Sequence, residues 1–212
     1  MSLDYERDPA AIYAASFATV RREARLGHLD AETAEVAVRI VHASGMVEVA
    51  GDLVASPGLG AAGRDALRAG APVLADCEAV AAMVIRRMLP AGNPVLCTLN
   101  DASVPGRARE AATTRSAAAV ELWAPHLSGA VVAIGNAPTA LFRLLELLDA
   151  GAPRPAVILG LPVGFVGAAE SKAALAEDPR GVPFLTLPGR RGGSAMAAAA
   201  VNGLAGLAGA GP

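Results

Sequence analysis

Short, continuous apolar runs recur along the chain, separated by longer stretches in which apolar residues return every three or four positions. The short runs are Val73–Ala75, Val95–Thr98, Ala130–Ile134, Ala156–Leu159 and Phe184–Leu187. Strands covered on both faces read this way, because neither side meets water. The longer stretches predict helices over Glu78–Met88, Ala108–Trp123, Pro138–Ala150 and Ala168–Ala176, with a last helix after Gly193. Strand and helix alternate, which predicts a parallel sheet with right-handed crossovers. The N-terminal part departs from this rhythm and reads as helices at Pro9–Glu23, Ala31–Ala43 and Gly63–Ala69. The expected fold class is α/β: a five-stranded, mainly parallel sheet with helices between the strands and a helical N-terminal segment. No repeat or long linker interrupts 1–212, so one domain is expected.

Helix boundaries add detail. Tyr13, Phe17 and Val20 form one apolar stripe on the first helix. Pro138 suits a first helical turn. Gly45 can end the helix that carries His42, and Gly151 with Pro153 stops the one after Leu148.

Composition narrows the function classes. Of 212 residues, 53% are hydrophobic and 18% charged, which excludes a disordered chain. The net charge of -2 comes with no basic stripe and few aromatics, so a nucleic-acid partner is not expected. Leu122–Phe142 contains no Asp, Glu, Lys or Arg. Pro125, Gly129, Gly135, Asn136 and Pro138 break it into turn, strand and helix start, so no membrane span is expected. The acidic, polar N-terminus is unlike a signal peptide. Cys77 and Cys97 have no metal or redox spacing and read as two reduced thiols of a cytoplasmic protein.

In open parallel sheets, ligands bind beyond the carboxyl ends of the strands. The segments leaving those ends are Asp76-Cys77-Glu78, Leu99-Asn100-Asp101, Gly135 to Thr139, Gly160 to Gly167 and Pro188 to Ser194. Three are glycine-rich and lead into helices, whose N-termini offer N–H groups to anions. Arg190 and Arg191 add cationic forks suited to carboxylates. Together these loops predict a pocket for a large, planar, anionic ligand. His28 and His126 lie in turns and read as structural. His42 stands in the last turn of its helix, where the negative end of the dipole favours imidazolium and suits a proton donor; a helix-capping histidine is the equal alternative. Gly58, Gly60 and Gly63 match G-x-G-x-x-G, but the run before them is short and ends in Pro57, which argues against a dinucleotide site. Lys172 reads as a solvated lysine near a helix start rather than a Schiff-base former.

These residues carry a resemblance. The chain resembles the precorrin-8X methylmutases along nearly its whole length, through Ile12-Tyr13-Ala14-Ala15-Ser16-Phe17, Val41-His42-Ala43, Leu89-Pro90-Ala91-Gly92-Asn93 and Thr114-Arg115-Ser116-Ala117-Ala118. It continues in Ile134 to Leu141, Gly160 to Val166, Ala168-Ala169-Glu170-Ser171-Lys172 and Arg191-Gly192-Gly193-Ser194-Ala195. The resemblance implies a three-layer α/β/α, flavodoxin-like domain, a homodimer with its pocket near the subunit contact, and a methyl shift between adjacent ring carbons of precorrin-8X to give hydrogenobyrinate. It implies no metal and no organic cofactor, a tetrapyrrole substrate and a corrin product. It places the catalytic histidine on His42. Substrate contacts are implied for Ser16, Arg115, Ser116, Asn136, Ala137, Thr139, Val163, Gly164, Phe165, Lys172, Arg191, Gly192, Gly193 and Ser194. The charged members suit the ring's carboxylates, while Val163, Phe165 and the glycine loops suit its apolar face. Ile85 stands where some relatives carry a hydroxyl. The alternatives are a cobalt-precorrin-8 methylmutase, a non-catalytic corrin carrier, and a nucleotide-dependent oxidoreductase using Gly58 to Gly63.

Overall fold

Asp8 and Asp30 open the chain's first two helices, each with a carboxylate accepting a backbone N–H at the helix start. These are α1, Pro9–Glu23, and α2, Ala31–Ser44. Gly45 closes α2 in the left-handed conformation at φ 68°, the geometry that its missing Cβ permits. The computed structural model describes residues 3–209; residues 1, 2 and 210–212 of the expected 1–212 domain lie outside them.

The remaining elements are α3 Val49–Asp52, β1 Val54–Ala55, α4 Leu59–Arg68, β2 Val73–Ala75, α5 Glu78–Met83, β3 Val95–Cys97, α6 Val104–Glu110 and α7 Arg115–Glu121. They continue with β4 Val131–Ile134, α8 Pro138–Asp149, β5 Val157–Gly160, α9 Ala168–Glu177, β6 Phe184–Thr186 and α10 Ser194–Leu207. The sheet runs β1-β6-β5-β4-β2-β3. Five strands are parallel in the doubly wound, flavodoxin-like order, with the reversal between β2 and β4. The expected five strands are therefore joined by a sixth: β1 pairs antiparallel with β6 and covers that edge.

Alternation along the strands sorts the core into two layers. Val73, Ala75, Val131, Ala133, Val157 and Leu159 face α2, α4, α5 and α10. Leu74, Val132, Ile134, Ile158 and Phe184 face the α8 and α9 side, with Val120 and Trp123 from the α7 region. Two expected helices are broken. Glu78–Met88 is only α5 followed by a short 3-10 turn, because Asn202 of α10 intervenes: its Oδ1 accepts from the Ile85 amide and its Nδ2 donates to the Met83 carbonyl. Ala108–Trp123 divides into α6 and α7 at Ala112 (φ 47°), and Thr114 caps α7 by accepting from the Ala117 amide. None of the described helices is long and apolar enough to cross a membrane.

Candidate active site

His42 occupies the last turn of α2, and Ser16 stands opposite it on α1. Ser16 Oγ lies 2.8 Å from His42 Nδ1. With the serine donating to Nδ1, the ring proton sits on Nε2, which has no partner among the described residues. Phe17 and Tyr13 flank the imidazole, with ring centroids 4.7 and 5.7 Å away. Arg39 lies over Phe17 at 5.2 Å and makes no ion pair among the described residues, and burial holds its pKa below the usual range. Ser16, Thr19, Val20, Val41, His42 and Val47 line an open hollow of about 360 Å³.

The end of α2 lies towards the sheet's carboxyl rim. Its start is held near the opposite end, because Gly58, which opens α4, donates to Asp30, and neighbouring Ser56 bonds the first residue of β6. Beyond α2, Asp52 of α3 forms an ion pair with Arg191 in the loop after β6.

At that rim the glycine loops meet one another. Gly193 donates to Leu161 at 2.8 Å and Gly164 donates to Arg190 at 3.1 Å. A Cβ on Gly192 would strike the Leu161 and Pro162 carbonyls. Ser194 Oγ lies 3.4 Å from Cys77 Sγ. The Gly135, Asn136 and Ala137 amides all donate to Asp76, at 2.9, 2.9 and 2.7 Å. The expected anion cradle is thus partly satisfied from within: the three amides before α8 are taken by Asp76, and Gly164 and Gly193 are taken by neighbouring loops. Asp76 is 3% exposed; burial pushes its pKa up and the three amides pull it part of the way back. Its signal in the sequence was a carboxylate directly after an all-apolar strand.

Lys172 is not solvated. It is 1% exposed on α9 and donates to the Arg191 carbonyl at 2.6 Å, because α9 turns that face under the loop after β6. Burial and the nearby Arg191 charge pull its pKa down to about 8. Val163 and Phe165 stand out from the loop after β5 with Val166, and Arg190 lies over the Phe165 ring at 5.4 Å.

Arg115 begins α7 and donates to the Leu99 carbonyl at 3.2 Å and to Asn100 Oδ1 at 3.1 Å. Thr139 Oγ1 joins Thr114 Oγ1 at 2.8 Å, and Ser116 is half-buried one position after Arg115. Arg115 lines a hollow of about 400 Å³ with Pro105, Ala108, Arg109, Ala112 and Thr113. One cavity shared by His42, Arg115 and the Gly135 and Gly164 turns was the sequence expectation. In the single chain His42 and Arg115 line separate hollows, because α2 and α7 pack on opposite faces of the sheet. The Gly58–Gly63 motif serves packing: Gly60 lies against Glu32 and Thr33, and Gly63 against Leu204.

Comparison with known proteins agrees with this architecture. A sequence model of the family described as precorrin-8X methylmutase matches residues 11–207. A precorrin-8X methylmutase from Pseudomonas aeruginosa is 64% identical, over 96% of this chain and 98% of that protein. A cobalt-precorrin-8 methylmutase from Priestia megaterium is 34% identical, over 96% of this chain and 90% of that one. The crystal structure of precorrin-8X methylmutase from Thermus thermophilus superposes with a TM-score of 0.84 at 40% identity, covering 94% of this chain and 96% of its own.

Proposed function

This chain belongs to the precorrin-8X methylmutase family, and we propose that its reaction depends on a proton given by His42. It is an isomerase of cobalamin biosynthesis that moves a methyl group between adjacent ring carbons of precorrin-8X, giving hydrogenobyrinate. The much higher identity to the relative named for the metal-free precursor favours that substrate over the cobalt-containing one.

The shift is intramolecular: one carbon–methyl bond breaks as another forms, and no atom is gained or lost. A proton on a ring nitrogen draws electrons from the pyrrole system and eases the migration; it is returned once the methyl has moved. The observation that carries His42 as donor is its 2.8 Å contact with Ser16, which fixes the imidazole beside an open hollow. Tyr13 and Phe17 offer flat apolar surface beside it, as the ring plane requires. Arg115 and Arg191 are cations placed to meet carboxylate arms. Ser116, Asn136, Thr139, Val163, Gly164, Phe165, Gly192, Gly193 and Ser194 line the bed of the substrate, with Ala137 and Lys172 beneath it. The protein works in the cytoplasm as a homodimer, and the second copy brings the two separate hollows towards one ring.

Incubation with precorrin-8X, followed in the visible spectrum, should show conversion to the orange corrin, and cobalt-precorrin-8 should turn over more slowly. His42→Ala should lower kcat by about 10²–10⁴-fold while the product still binds. Undiminished turnover in that variant would remove His42 as the donor. Binding without turnover in the unaltered chain would make it a carrier.

A further inference from the structure

At the reversal of a doubly wound sheet, the amides that open the next helix ordinarily face a ligand. Here the crevice between β2 and β4 already holds a carboxylate belonging to the chain. Both Asp76 oxygens are used, one by Gly135 and one by Asn136 and Ala137, and the side chain is sealed from solvent. From that point a short series of contacts leads to Arg115. Ala137 precedes Pro138 and Thr139, the Thr139 hydroxyl meets Thr114 at 2.8 Å, and Thr114 caps the helix that Arg115 begins. Arg115 is itself steadied by Leu99 and Asn100 in the loop after β3, the strand beside β2.

We propose that Asp76 is a positioning residue: its carboxylate stands in for a ligand anion at the start of α8 and, through Thr139 and Thr114, sets the place of the Arg115 guanidinium that receives a substrate carboxylate. The inference rests on the reading of Arg115 as a substrate contact. It has two consequences. The amides before α8 are closed to the ring's own carboxylate arms, since a second anion beside Asp76 would meet like charge. Those arms are therefore directed to arginine side chains such as Arg115 rather than to the start of α8, and Asp76 governs binding without touching the substrate.

Asp76→Asn keeps the shape of the side chain but turns an NH2 group towards backbone donors. It should raise KM for precorrin-8X by about tenfold with kcat changed by less than about threefold, because the reacting centre at His42 is untouched. Arg115→Ala alone should raise KM at least as much. In the double variant, Asp76→Asn should add less than about twofold to the Arg115→Ala effect, since residues acting through one another are not additive. Circular dichroism would establish that each variant folds; if Asp76→Asn does not, Thr114→Val interrupts the same series and should show the same split and the same coupling. Full additivity, or a fall in kcat at constant KM, would overturn the inference while leaving Arg115 as a substrate contact. An Arg115→Ala chain with unchanged KM would overturn the reading of Arg115, and the inference with it.

Discussion

Lys172 keeps its amino group inside the protein with one carbonyl as partner, and the cost of that placement depends on pH. Its folded pKa of about 8 lies below the ordinary lysine value of 10.5. Between those values the unfolded chain binds more proton than the folded one, so stability must rise with pH across that window. Below about pH 8 both states hold the charge and the full burial penalty remains; near pH 10.5 it has gone. The slope amounts to at most about 3 kcal/mol. Urea unfolding at pH 7.5 and pH 10 should show the gain in the natural chain and a smaller one in Lys172→Met; equal gains would mean that Lys172 is not its source. The same residue shows where sequence reading stopped. A lysine near a helix start is ordinarily solvated, and only the crossing of α9 beneath the loop after β6 buries it. Asp76 is the parallel case: its place after an apolar strand was visible, but its three amide partners lie some sixty positions away.

At the scale of elements, packing of α10 against α2 decides most of what holds the His42 helix in place. α10 is made of small residues, and a Cβ on Gly203 would lie 2.9 Å from Val36 Cα. Gly203→Ala gains about 1 kcal/mol of helix propensity but forces the helices apart, and a net loss of about 1–2 kcal/mol is expected. Gly106, within α6, has open space where its Cβ would go, so Gly106→Ala should instead stabilise, by up to about 1 kcal/mol. Opposite shifts in the urea midpoint check both; shifts of the same sign would refute the packing argument. Elements with a strong local pattern were legible. The five parallel strands fall within a residue or two of their apolar runs, and α1, α2, α8 and α9 match their periodicity. β1 was not, because two residues before a proline carry too little pattern and its partner, β6, lies far along the chain. The breaks in α5 and between α6 and α7 arise from Asn202, distant in sequence, and from Ala112 in a left-handed turn; the Thr114 cap was the one local sign of the second.

For the whole molecule, the distribution of exposed apolar surface bears on assembly. Ile12 and Tyr13 on α1 are about half exposed, while Phe165 and Val166 are 84% and 88% exposed at the rim. Surface of this kind marks an interface or a ligand's bed. The proposed homodimer should sediment at twice 21.2 kDa, and Tyr13→Glu with Phe165→Glu should reduce it to the single chain; a natural chain that sediments alone would refute the dimer. The candidate site was legible only as separate candidates, His42, Ser16, Arg115 and the loops at the carboxyl rim, and the contact between Ser16 and His42 was not among the expectations. Its assembly was not legible, because sequence order does not say that α2 and α7 lie on opposite faces of the sheet.

The pairing of α2 with α10 also bears on how the protein is made. A ribosome makes the His42 helix well before its main packing surface, since Val36 rests on Gly203 and Arg68 of α4 bonds to the Ala208 carbonyl. Until α10 is made, the apolar stripe of α2, with Val36 and Ile40, has only the nearby residues of α3 and α4, such as Val49 and Leu59, to cover it. The packing around the segment bearing His42 is therefore completed only once α10 has been made, well over a hundred positions further along the chain.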